Sequence, residues 1–210
     1  KISKPLNSPE LNKQLEILRK KNPKKFSYFF DTLQTSTALN NFWTDNKTLQ
    51  MIEILMGCEK SDISATDLLL RIDSPIDSRN KLDWHQDSAY FKQNKSGFNG
   101  VNCWAALTDL TFEMGPLEFL ENSHKLGCLK VKKSRDLNYS SLQRKIPKKV
   151  TNKFKVKRFE MKQGDLLVMN MDMIHRSGGN YSKIFRMSTI CRYHNMISKD
   201  FQPGLNIYRY

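Results

Sequence analysis

Two histidines and an aspartate in this chain have the types and spacing that suit metal chemistry. Trp84-His85-Gln86-Asp87 places an imidazole and a carboxylate two residues apart. On an extended backbone, residues i and i+2 share a face, so His85 and Asp87 converge on one ion while Gln86 points away. His175 supplies a second imidazole in Met173-Ile174-His175-Arg176-Ser177-Gly178-Gly179-Asn180. Two imidazoles and one carboxylate on one face leave three coordination positions open. That is the set non-haem iron(II) oxygenases use for a keto acid and for oxygen. An HxD triplet alone is short and recurs by chance, and a lone histidine is more often a hydrogen-bonded structural residue. Arg186 gives the set its weight. It follows His175 by eleven residues, in an apolar run (Phe185, Met187, Ile190) that disfavours its alternative role in a surface salt bridge. A planar guanidinium fork matches the far carboxylate of a dicarboxylate. Ser188, at i+2 from Arg186, is placed to share that carboxylate.

These residues need elements to carry them, and the first sixty residues read as helical. Leu11, Leu15 and Leu18 recur at helical spacing after Pro9-Glu10 and end near Asn22-Pro23. Phe26, Phe29, Phe30 and Leu33 repeat the pattern, and Leu49, Ile52, Ile54, Leu55 and Met56 stop at Gly57, a residue suited to a helix end. From about Ile63 the texture turns to short β-rich runs between turn signals. The expected strands are Thr66–Ile72, Leu82–His85, Gly100–Leu107, Leu117–Leu120, Lys155–Glu160, Asp165–Asn170 and Phe185–His194. Helices first and strands after predict a helical layer against an antiparallel double sheet, all in one domain over 1–210. The layer covers 1–62 and the sheet core 63–195. Between Lys130 and Lys157 lies a stretch dense in Lys and Arg, read either as a lid or insertion over the site or as a solvated surface loop.

Composition narrows the classes further. The chain has 210 residues, 39% of them hydrophobic, enough for a buried core. It has no run of about 18 apolar residues, so no spanning helix is expected. No signal segment opens it, and a cytoplasmic location is expected; the start at Lys1 rather than Met leaves a leading segment and a targeting peptide open. Cys58, Cys103, Cys128 and Cys191 lie far apart without a CxxC, and read as free thiols, with Cys103 and Cys191 in the core. The net charge of +14 fits nucleic acid, an anionic surface or an anionic substrate, or simply a Lys-rich solvated exterior. The last is favoured because no nucleic-acid motif accompanies the charge.

The motifs together resemble the phytanoyl-CoA dioxygenase family. The resemblance rests on Trp84-His85-Gln86-Asp87, Trp104-Ala105-Ala106-Leu107-Thr108-Asp109, Met114-Gly115-Pro116-Leu117-Glu118-Phe119-Leu120, Asn122-Ser123-His124-Lys125-Leu126-Gly127, Gly164-Asp165-Leu166-Leu167, and His175 through Asn180 followed by Arg186. These stand in family order over roughly residues 64 to 194, and the helical part fits more loosely. The resemblance implies a mainly β fold with N-terminal helices, built on a double-stranded β-helix (a cupin-like jelly roll). It implies Fe(II) on His85, Asp87 and His175, and 2-oxoglutarate as cosubstrate on Arg186, Ser177 and Trp104, with O2. The implied reaction hydroxylates an unactivated C–H of a small organic molecule, releasing succinate and CO2; the basic cluster between Lys130 and Lys157, read as a lid, suggests an anionic or zwitterionic substrate. Asp87, where a halogenase would leave a vacancy for chloride, argues against halogenation. Asn122 replaces the glycine that many relatives carry before Ser-His, a mild change because Asn tolerates a left-handed turn. His124 reads as a turn residue, and His194 shows no partner set.

Two other readings stay open. Arg192 lies six residues beyond Arg186 on the same strand face, as in nucleic-acid oxidative demethylases, although the Gly-Pro-Leu and Ser-His-Lys segments point elsewhere. A jelly-roll binding module without catalysis would lack a reason to keep the triad and Arg186 together.

Overall fold

Four polar caps start the four N-terminal helices. In the computed structural model, which describes residues 6–76, 81–91, 93–94, 99–133 and 143–203, Ser8 caps α1 (Pro9–Lys21) and Asn22 caps α2 (Pro23–Gln34). Both helices carry Pro at the first helical position, where its missing N–H costs nothing. Ser36 caps α3 (Thr37–Thr44), and Asp45 both ends α3 and caps α4 (Asn46–Met56), which stops at Gly57 with φ +62°. The helical stretch after Leu33 is thus two short helices, a division that the apolar spacing did not reveal.

The strands are β1 (Ile63–Asp73), β2 (Gly100–Ala106), β3 (Glu118–Leu120), β4 (Val156–Arg158), β5 (Leu166–Asn170), β6 (His175–Arg176) and β7 (Arg186–Asn195). They form a four-stranded antiparallel sheet in the order β1-β7-β2-β5 and a three-stranded one in the order β4-β3-β6. Leu82–His85 is not a strand: only His85 pairs, in a bridge to His175 in which each N–H donates to the other's carbonyl at 3.0 Å. β6, two residues long, was too short to leave a periodic signal.

β7 is the centre of the molecule, with all ten residues buried between β1 and β2. Its alternation divides two chemistries. Cys191 and Tyr193 face the helices, where Leu39, Trp43 and Ile52 pack on Cys103 and Ala105. Met187 joins Leu15, Ile72 and Phe185 under α1 and α2. Trp43 locks the layers: its Nε1–H donates to Thr189 Oγ1 at 2.9 Å, and Tyr193 Oη–H donates to the Trp43 carbonyl at 2.5 Å. The other face of β7 carries Arg186, Ser188, Ile190, Arg192 and His194 toward the second sheet.

Part of the basic segment is anchored. Ile146 is buried with Trp84, Leu120 and Ile174, its N–H donates to the Trp84 carbonyl at 2.7 Å, and Lys148–Thr151 forms a short helix, α5. Residues 134–142, with Arg135 among the basic cluster, lie outside the described residues. All four cysteines are free, and Cys103 and Cys191 are buried as expected. Among the described residues no helix is long and apolar enough to cross a membrane.

Candidate metal centre

The bridge between His85 and His175 brings two imidazoles side by side, with ring centroids 4.3 Å apart. Each ring is oriented by its own backbone. His85 Nδ1 lies 2.7 Å from the Asp83 carbonyl, and His175 Nδ1 lies 2.9 Å from the Met173 carbonyl. A carbonyl only accepts, so each Nδ1 holds the proton and each Nε2 keeps a bare lone pair. Those lone pairs meet Asp87: its Oδ1 is 3.5 Å from His85 Nε2 and 3.8 Å from His175 Nε2. One ligand atom from each of the three residues falls within 4.8 Å of the others, and all three side chains are buried.

The second carboxylate oxygen of Asp87 is already held. Asn102 Nδ2 donates to Oδ2 at 2.7 Å and Arg192 Nε donates to it at 2.8 Å. The Arg192 guanidinium lies 4.0 Å over the Phe91 ring. Burial pushes the Asp87 pKa up, but the Arg192 charge and the neighbouring His85 and His175 more than offset it, and the carboxyl sits well below its usual range. His175 is pushed down to about 4, by burial first and then by His85, against the pull of Asp87. The result is an ionised carboxylate facing two imidazole Nε2 atoms, a donor set that fits a divalent transition metal.

Gln86 faces away, as the strand geometry predicts. Fully buried, it donates to the Gly127 and Asp172 carbonyls at 2.8 and 2.7 Å and accepts from Leu129 N–H at 2.8 Å. Tyr90 stands edge-on to His85 with centroids 5.8 Å apart.

Arg186 lies at the far end of the same face of β7, buried to 3% exposure. Its fork is engaged: Nε and Nη2 donate to Asp73 Oδ2 at 3.2 and 2.9 Å. Nη1 donates to the carbonyls of Gly178 (3.2 Å), Met114 (3.3 Å) and Gly115. Arg71 grips the same carboxylate, with Nη2 2.8 Å from Asp73 Oδ1, so Asp73 lies between two arginines. Ser188, aligned with Arg71 across the β1 ladder, is fully buried, and its Oγ has no hydrogen-bond partner. Trp104 is buried, aligned with Ile190 across the β2–β7 ladder and packed with Met114, Met161 and Ile190. Ser177 is half-buried, with its N–H donating to the Leu82 carbonyl at 3.2 Å. His124 lies in a turn over Ser123–Leu126, preceded by Asn122 at φ +62°, the left-handed conformation expected of the residue replacing glycine. His194 is fully buried, and its Nδ1 lies 3.0 Å from Asn94 Oδ1.

Asn102, Asp73, Arg71 and Tyr90 were not singled out from the sequence. Asn102 alternates with Trp104 and Asp73 with Arg71 along their strands, so strand period alone aligns them with the site. What it does not reveal is which strand lies next to which.

A two-histidine, one-carboxylate donor set, with a buried arginine further along the neighbouring face of β7, is an arrangement of the kind that non-haem iron oxygenases use. The model of the phytanoyl-CoA dioxygenase family matches residues 21–188, and the chain belongs to that family. A search of curated protein sequences returns no match. Among solved structures, the epimerase SnoN in complex with Fe3+, alpha ketoglutarate and nogalamycin RO aligns at 19% identity and TM-score 0.63, covering 84% of this chain and 66% of that one. EvdO2 from Micromonospora carbonacea var. aurantiaca, complexed with 2-oxoglutarate, aligns at 15% identity and TM-score 0.61, over 81% and 69%. EctD from S. alaskensis, with 2-oxoglutarate and 5-hydroxyectoine, aligns at 13% identity and TM-score 0.60, over 81% and 60%. The chain spans less than two thirds of the SnoN chains it matches, 59% and 66%. At these identities the likeness is one of fold.

Proposed function

We propose that the protein is an Fe(II)- and 2-oxoglutarate-dependent dioxygenase that hydroxylates an unactivated C–H of a small organic substrate. The observation that carries this reading is the convergence of His85 Nε2, His175 Nε2 and Asp87 Oδ1, with the outer atoms of all three residues held by other groups. Iron bound there would supply oxygen activation coupled to oxidative decarboxylation of 2-oxoglutarate to succinate and CO2. The protein's part is to orient and to exclude water. Arg192 and Asn102 fix the Asp87 carboxylate, so that one oxygen faces the imidazoles. Trp104, Ile190 and Met114 pack together as an apolar patch beside this face of β7, which keeps water from it.

The far carboxylate of 2-oxoglutarate falls to Arg186 in this reading, with Ser188, Ser177 and Trp104 beside it. That assignment requires Arg186 to exchange Asp73, which holds its fork here, for the cosubstrate. One feature supports it. The Ser188 hydroxyl is a buried donor without a partner on the same face. A double-stranded β-helix in one domain is likewise supported by the strand order: the His85 bridge adds a fourth member beside β6, so that four positions face four. Arg192, the sequence argument for a nucleic-acid substrate, is buried against Asp87 and away from any phosphate backbone. The test is succinate release with Fe(II), 2-oxoglutarate and candidate substrates. Release that requires both, and that a substrate stimulates, is expected; release independent of iron contradicts the reading.

A further inference from the structure

A cleft of about 390 Å³ opens beside the turn that carries Asp87. Its lining includes Ser88 and Ala89, the two residues after Asp87, together with Cys128, Lys130, Lys132 and Arg144. Among the described residues, three basic side chains line it and no acidic one does. Its walls are tied to the neighbours of the metal ligands. Leu129 N–H donates to Gln86 Oε1 at 2.8 Å. Arg144 N–H donates to Tyr90 Oη at 2.5 Å, and Tyr90 stands edge-on to His85.

Two polar groups at the cleft have no partner. Ser88 is 5% exposed and is one of the lining residues, and its buried Oγ makes no hydrogen bond. Arg144 donates from Nη1 to the Val131 carbonyl at 3.0 Å, but its buried Nε–H is unpaired. A buried hydroxyl and a buried guanidinium N–H left unmade are costly in a cleft of one sign of charge, and an anion with acceptor oxygens satisfies both. Low-dielectric walls also focus the field of the three cations on that space.

The geometry points to this cleft as the site for the anionic group, a carboxylate or a phosphate, of the substrate that the metal centre oxidises. The inference rests on the oxygenase reading and gives it a substrate class. Ser88 and Arg144 donate to the anion's oxygens, and Lys130 and Lys132 raise its local concentration. The basic segment, open in the sequence between lid and surface, then has one of its ends in the substrate site.

Cys128 is an exposed free thiol in the lining, so it reports on occupancy without turnover. The measurement is the rate of Cys128 alkylation by iodoacetate, an anion, relative to iodoacetamide, in a Cys58→Ser background of the full chain. The same ratio for a cysteine in an unstructured peptide is the reference. The ratio is expected to exceed the reference by about threefold or more at low salt, as for a focused positive field. Inorganic phosphate or acetate is expected to protect Cys128 saturably, where chloride at equal ionic strength does not. Stronger protection by phosphate identifies a phosphate site, and stronger protection by acetate a carboxylate site; either supports the proposal. Ser88→Ala, which removes only an unpaired hydroxyl, should weaken that protection, and Lys130→Gln/Lys132→Gln/Arg144→Gln should return the ratio to the reference. A ratio equal to the reference in the parent protein, or protection that chloride matches, overturns the proposal. Co(II) absorption on the same samples reads the triad separately. Protection without Co(II) binding would remove the metal reading while leaving an anion site, and Co(II) binding without protection would do the reverse.

Discussion

Asp87 faces two ways: one oxygen toward His85 and His175, the other against Arg192 and Asn102. The second pair makes Arg192 and Asn102 positioning residues for the carboxylate. Asn102→Ala is expected to weaken Co(II) affinity by about tenfold to a hundredfold, the usual cost of losing an outer partner of a ligand. Titration followed by the Co(II) absorption bands checks this, because a purely structural role would leave the band shape unchanged. Arg186 makes a different prediction. Lysine keeps the charge but loses the two-point fork that holds Asp73 and is assigned to 2-oxoglutarate. Arg186→Lys should therefore weaken 2-oxoglutarate binding far more than metal binding, as read by anaerobic calorimetry. Equal 2-oxoglutarate affinities would place the far carboxylate elsewhere.

At the scale of elements, the site depends on a close crossing of two loops. Gly115 has φ +66°, and a Cβ on it would collide with the backbone of Gly178 and Gly179. That contact packs the loop before β3 against the loop after β6 and next to Arg186. Gly115→Ala is expected to lower stability by more than the roughly 1 kcal/mol typical of a glycine replaced at positive φ, because backbone must also move. Urea unfolding of the variant measures it. Trp43→Ala, emptying a fully buried pocket between helices and sheet, should cost about 3–5 kcal/mol with little change in the metal-bound spectrum. Much of this arrangement was legible in the sequence. The period of two along Arg186–Asn195 separates the polar face from the helix-packed face, and His85–Asp87 on one face follows from the same period. The rest depends on long-range pairing. A two-residue β6, the His85 bridge, and the neighbourhood of Asp73, Arg71 and Arg186 come from strands far apart in sequence, and no local pattern encodes their register.

For the whole molecule, pH acts through groups buried neutral. His194 is pushed down to about 4, by burial first and then by Arg192. Its unfolded value is about 6.5, so the unfolded chain takes up a proton before the folded one does. The stability from neutral His194 is full above about pH 6.5 and is lost as pH falls toward about 4, by an amount of order 3 kcal/mol. In metal-free protein His175 adds a loss of the same sign over the same window. Denaturant midpoints at pH 7 and pH 5 should differ, and His194→Gln should reduce the difference; an unchanged difference would assign it to other groups. The central claim, that His85, Asp87 and His175 hold iron beside a 2-oxoglutarate site, is tested most directly by anaerobic absorption spectroscopy. Fe(II) and 2-oxoglutarate added together to the protein should produce the visible charge-transfer band of a keto acid chelated to iron. The band should be absent with either component alone and absent in His85→Ala and His175→Ala, variants that keep the parent's far-UV circular dichroism. A band of undiminished intensity in both variants, or no band in the folded parent protein, would contradict the account.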